Sequence, residues 1–98
     1  MSPDLLSPSE VDTALADQQI GWERVDDELR TTVKLHDFAA ALEFVNAVGA
    51  AAEAANHHPD IDIRWNTVTL VLSTHSAGGL TVLDLALAAA IDRLRPLR

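Results

Sequence analysis

The sequence predicts an α+β fold, a four-stranded antiparallel sheet with three helices packed on one face, in the order α-β-β-α-β-β-α. Three observations carry this expectation. Residues 29–36 and the stretches 60–65 and 67–73 alternate apolar and polar side chains with period 2, the pattern of half-buried strands. Three other stretches open on capping residues and repeat apolar side chains at three- and four-residue steps. Short turn sequences join the strands two by two, so each pair is an antiparallel hairpin.

The elements follow in order. Ser7-Pro8-Ser9-Glu10 is a helix start, with Ser7 as cap, Pro8 at the first helical position and Glu10 closing a capping box. The first helix spans residues 8–17 with Val11, Leu15 and Ala16 inward. Gly21 interrupts the chain before a short strand, residues 22–25, and Asp26-Asp27 forms a turn. In the next strand Leu29, Thr31, Val33 and Leu35 share the inner face, while Arg30, Thr32, Lys34 and His36 face solvent. Asp37 caps a second helix, residues 38–56, whose inward positions are Phe38, Leu42, Val45, Val48 and Ala52. Pro59 prevents that helix from continuing. Ile61, Ile63 and Trp65 alternate with charged residues, Asn66 supplies the positive φ of a tight turn, and Val68, Leu70 and Leu72 form the inner row of the last strand. Gly78-Gly79 marks a loop. Thr81 and Asp84 form a second capping box, opening a third helix that ends before Pro96. That helix is apolar almost all round, which predicts burial on every side through an oligomer interface.

The 98 residues suit one domain over positions 1–98. Fifteen Asp and Glu stand against seven Lys and Arg, a net charge of −8, with no basic stripe. Nucleic acid and anionic membranes are thereby excluded as expected partners. Cysteine is absent, which removes disulfides, thiol catalysis and the common structural zinc sites. The N-terminal residues carry no export pattern, and no stretch reaches membrane-spanning length without charges, so the expected location is the cytoplasm.

Histidines at element ends are the candidate chemistry. His57 and His58 close the second helix, and His75 follows the fourth strand, where side chains from separate elements can meet at a cleft. Glu53 precedes His57 by four residues, so the two share a helix face and the carboxylate can fix the imidazole's tautomer. Asp84 lies on the first turn of the third helix and has a capping role that needs no substrate. His36 is solvated. Metal ligation by Glu53, His57, His58 and His75 is the competing chemistry, weakened because adjacent His57 and His58 project apart.

The run Glu53-Ala54-Ala55-Asn56-His57-His58-Pro59, then Ser73-Thr74-His75, then Gly79-Leu80-Thr81-Val82-Leu83-Asp84 resembles the signature of the pterin-4a-carbinolamine dehydratases. Gly21-Trp22 and Asp37-Phe38 match the same pattern, so the resemblance covers nearly the whole chain. It implies dehydration of a 4a-hydroxytetrahydropterin, left by an aromatic amino acid hydroxylase, to quinonoid dihydropterin. It implies His57, His58 and His75 as the proton-handling groups, Glu53 and Asp84 as their charge partners, and a pterin pocket lined by Asn56, His57, His58, Ser73, Thr74 and His75. Neither a metal nor an organic cofactor is implied, because pterin is the substrate. Homodimers or homotetramers through the third helix or a sheet edge are implied as well. A non-catalytic protein-interaction module of the same fold is the alternative. The chain departs from the family at Ile61, Val33 and Leu35, where aromatic residues are common, and at Trp65, where tyrosine is usual, which alters the pocket wall.

Overall fold

A computed structural model describes residues 4–18 and 20–96. The N-terminal residues read for export up to Pro3, and Arg98 of the tail, lie outside the described residues. The elements are α1 (Pro8–Asp17), β1 (Glu23–Val25), β2 (Glu28–Lys34), α2 (Phe38–Ala55), β3 (Asp60–Arg64), β4 (Thr67–Leu72) and α3 (Val82–Asp92). The strands form one antiparallel sheet in the order β1-β2-β4-β3. The two hairpins therefore join through β2 and β4, with Leu29 opposite Leu72 and Val33 opposite Val68.

Period 2 decides which side of the sheet is covered. Leu29, Thr31, Val33 and Leu35 are buried while their neighbours are exposed. Val68, Leu70 and Leu72 continue the same inner row on β4. The helices close that one face, and Val11, Phe44, Val48, Leu87 and Ile91 complete the core. Truncating a fully buried leucine here, Leu70 for instance, costs about 2–5 kcal/mol.

Both helix starts read as boxes are boxes. Ser7 Oγ accepts from the Glu10 N–H, and Glu10 returns to the Ser7 N–H at 2.8 Å. Thr81 and Asp84 do the same at α3. Asp37 caps α2 by accepting from the Ala40 N–H at 2.8 Å.

Several placements differ from the sequence expectation. Ala16 is exposed, and Ala14 is half-buried in its stead. On α2 the buried stripe is Ala41, Phe44, Val48 and Ala52. Phe38 and Leu42 are exposed, because the stripe that meets the sheet is offset from the one counted from Phe38. By length and composition α2 reaches the range of a membrane span, with mean hydropathy 1.3 over 18 residues. Its buried stripe, however, lies on the sheet, and Glu43 and Glu53 put charge on its exposed side. In the second hairpin Trp65, not Asn66, takes the positive φ, at 54°. Asn66 is instead buried and donates to the Leu35 carbonyl at 2.9 Å, tying the hairpin to the end of β2. Ile61 is exposed because β3 is an edge strand. Within a single chain the apolar α3 is buried on its inner side, which leaves the expected oligomer interface untouched. Val82, Leu83 and Ala86 are exposed, and a groove of about 380 Å³ runs between α3 and the last turns of α2, past Ala51, Ala54 and Ala86.

Candidate active site

The site is assembled from the end of α2 and the segment between β4 and α3. Asn56 ends α2 in the left-handed conformation, φ 49° and ψ 43°, and the His57 N–H returns to the Ala52 carbonyl at 3.1 Å. Asparagine tolerates this conformation better than most residues. The reversal breaks the helical register, and with it the expected pairing of Glu53 with His57.

Glu53 reaches His58 instead, with Oε2 to Nε2 at 2.5 Å, and both side chains are exposed. His57 turns inward to α3. Its Nε2 lies 2.6 Å from Asp84 Oδ1, with the imidazole 10 % exposed and the carboxylate fully buried. Asp84 also does the capping work expected of it, since Oδ2 accepts from the Thr81 N–H at 2.9 Å. The Thr74 hydroxyl donates to the same oxygen at 2.7 Å.

His75 lies on the turn after β4. Thr74 and Gly79 pair as an isolated bridge, with the Thr74 N–H on the Gly79 carbonyl at 2.8 Å. Gly78 sits inside that turn at φ 81°, where a side chain would be strained. Gly79 has a different constraint, because a Cβ there would lie 3.1 Å from the Leu5 side chain. The Leu6 N–H bonds the Leu80 carbonyl at 2.8 Å, so the segment before α1 straps this loop from outside.

An open cleft of about 290 Å³ lies between the two segments. Asn56, His57, His58, Ser73, Thr74 and His75 all line it, together with Ser76 and Leu83. Sequence reasoning missed the last two. Ser76 adjoins His75, and Leu83 belongs to the Thr81-to-Asp84 box, so adjacency was the available signal. Glu53 and Asp84 stand behind the cleft, each holding one histidine. Among the described residues no three His, Asp or Glu side chains are grouped as a metal site. A carboxylate accepts only, so Asp84 as an anion accepts the hydrogen bond of His57 Nε2–H, which keeps its proton and leaves Nδ1 as the basic atom of that ring. The cleft can thus present one imidazole of fixed tautomer beside two exposed ones.

A family model described as pterin 4 alpha carbinolamine dehydratase matches residues 4–94. The chain belongs to that family. A Nocardia farcinica relative, provisionally named a pterin-4-alpha-carbinolamine dehydratase, is 54% identical over 94 residues, 96% of this chain and 98% of that protein. A Roseiflexus castenholzii relative under the same provisional name is 53% identical over 90 residues, 92% of this chain and 96% of its own. Among solved structures, a transcriptional coactivator/pterin dehydratase from Brucella melitensis superposes with a TM-score of 0.87 at 32% identity. That match covers 95% of this chain and all of the other. A pterin dehydratase-like protein described as a RuBisCO assembly factor of the alpha-carboxysome shares the fold, with a TM-score of 0.63 at 22% identity over 79% of this chain and 89% of its own. Of the pterin-4a-carbinolamine dehydratase segments quoted from the sequence, those carrying Asn56 to His58 and Ser73 to His75, with Leu83, line the cleft.

Proposed function

We propose that the chain catalyses loss of water from a 4a-hydroxytetrahydropterin, giving quinonoid dihydropterin in tetrahydropterin recycling, by histidine general acid–base catalysis. The observation that carries this reading is the buried Asp84–His57 pair at the wall of a cleft that His58 and His75 also line. The reaction needs two proton movements. A proton must reach the 4a oxygen as the C4a–O bond breaks, and the N5–H proton must leave as the N5 lone pair forms the C=N bond. The sum is one molecule of water. Imidazoles titrate near neutrality and can serve either end. His57, with its tautomer fixed by Asp84, is suited to hold or accept at Nδ1. His58 and His75 are the exposed partners, with Glu53 tuning His58. Asn56, Ser73 and Thr74 shape the pterin pocket between them. The nitrogen lone pair drives the elimination, so the reading includes no cofactor. The cytoplasm is the proposed location.

A second reading, a non-catalytic interaction module, draws on the exposed apolar groove between α2 and α3. One assay divides the two. A 4a-hydroxytetrahydropterin is generated in situ and quinonoid dihydropterin is followed spectrophotometrically. The wild type accelerates the reaction, and His57→Gln and His75→Gln each lose about 10²–10⁴-fold while their circular dichroism stays native. A wild type no faster than the spontaneous reaction would leave the interaction module as the better account.

A further inference from the structure

We propose that Thr74 is a positioning residue, acting on the reaction through Asp84 and His57 rather than by contact with the pterin. The sequence resemblance counts Thr74 among the pocket residues, and its surface does line the cleft. Its hydroxyl is committed elsewhere. Thr74 is 3 % exposed, and Oγ1 lies 2.7 Å from Asp84 Oδ2 and 2.8 Å from Thr81 Oγ1.

Counting protons fixes the direction of these bonds. A hydroxyl has one hydrogen, and a carboxylate has none to give. Thr74 spends its hydrogen on Asp84, so the bond to Thr81 must be donated by Thr81. Thr81 Oγ1 in turn accepts from the Leu83 N–H at 3.2 Å. The result is a one-way chain from the first turn of α3: Leu83 N–H to Thr81, Thr81 to Thr74, Thr74 to Asp84. With the Thr81 N–H also on Oδ2, that oxygen holds two donors, and Oδ1 is left for His57. No buried side-chain nitrogen or oxygen among the described residues lacks a partner, so the chain is complete as it stands. It has three effects. It holds the carboxylate plane, it selects which oxygen meets His57, and it draws negative charge toward Oδ2.

Thr74→Val keeps the shape of the side chain and removes the only hydroxyl hydrogen on Oδ2. Charge then concentrates on Oδ1 and favours the protonated form of His57. The other charged or titratable groups near His57 are His58 and Glu53 from the end of α2 and His75 from the turn after β4, and the substitution leaves all three in place.

The test uses the intact chain and three proteins, the wild type, Thr74→Val and Thr74→Ser. Imidazole titrations of His57 are followed by NMR without substrate. The His57 midpoint should move upward in Thr74→Val and stay near wild type in Thr74→Ser, which restores the donor. This arm needs no enzymatic activity, so it stands apart from the dehydratase reading on which the second arm rests. In the dehydration assay Thr74→Val should lose about 10- to 100-fold in kcat with KM nearly unchanged, the scale seen when a group behind a catalytic ligand is removed, and Thr74→Ser should recover most of it. An unmoved His57 titration in a folded Thr74→Val would overturn the proposal. A loss confined to KM would overturn it too, and would return Thr74 to the substrate contacts. A His57 titration shifted in Thr74→Val, alongside a wild type without dehydratase activity, would sustain the positioning role and sink the reaction instead.

Discussion

Asp84 shows how much one buried side chain can decide. Its carboxylate closes a capping box, receives the Thr74 hydroxyl and holds His57, all at zero exposure. Because two donors already sit on Oδ2, Asp84→Asn must place its amide oxygen there and turn its NH₂ toward His57. The ring nitrogen facing it then has to accept, which moves the imidazole proton to Nδ1 and abolishes the basic atom. The expected outcome is a kcat about 10²–10⁴-fold lower, as for other wrong-tautomer variants, in a protein that still melts cooperatively within about 1–3 kcal/mol of wild type. Assay and denaturant titration of the same preparation check both halves. At this scale the residues named from the sequence gather around one cleft, but not in the pairing expected. Glu53 and His57 at i and i+4 is a sound helical argument, and it fails because Asn56 leaves the helix through φ 49°. Nothing in the letters Asn-His-His-Pro distinguishes a helix that ends before His57 from one that ends just after it.

At the scale of elements, strands and caps were legible because they rest on local chemistry. Alternation in β2 and β4, the Ser7–Glu10 and Thr81–Asp84 boxes and the Asp37 cap all stand where residue type put them. The rotation of α2 was not legible. An alanine-rich helix offers several apolar stripes of similar quality, and its contact with the sheet chooses Ala41, Phe44, Val48 and Ala52. The positive φ at Trp65 escaped for a related reason, since Asn66 is the better left-handed residue but is held by its bond to Leu35. Between α1 and β1 an ion pair joins Asp12 to Arg24, with Oδ1 to Nε at 2.9 Å. The Arg24 hydrogen bond holds the Asp12 carboxyl below its ordinary value of 3.8. A carboxyl depressed on folding stabilises the fold above its unfolded pKa and loses that contribution as pH falls through the folded one. Arg24→Gln should therefore be less stable than wild type at neutral pH, and the difference should close as the solution is acidified below pH 3.8. Thermal melts of the two proteins across pH 2–7 measure it.

Over the whole molecule, the sheet and α3 compete for too little apolar cover. One face of α3 and the neighbouring turns of α2 remain open, with Leu83 and Val82 exposed. Burial of α3 on all sides requires a partner surface, and self-association through this face is the outcome we expect. Each chain carries a net charge of −8, so copies repel until salt screens them. Sedimentation velocity should show association growing as ionic strength rises, and Ala86→Glu, placed in the groove, should weaken it without lowering the melting temperature of the dilute protein by more than about 2 °C, a surface-sized effect. The open face was readable as an excess of apolar residues, but its depth and course were not, because they depend on how α2 turns against the sheet. The two tryptophans have a separate use. Trp22 is sealed in, its indole N–H on Asp92 at 3.0 Å beside the end of α3, while Trp65 is 67 % exposed at the tip of the opposite hairpin. With only these two indoles in the chain, iodide strips the red-edge emission of Trp65 and leaves the blue-edge emission of Trp22, whose indole is bonded to the last residue of α3. The molecule comes with its own fluorescent gauge, and no dye has to be attached to read it.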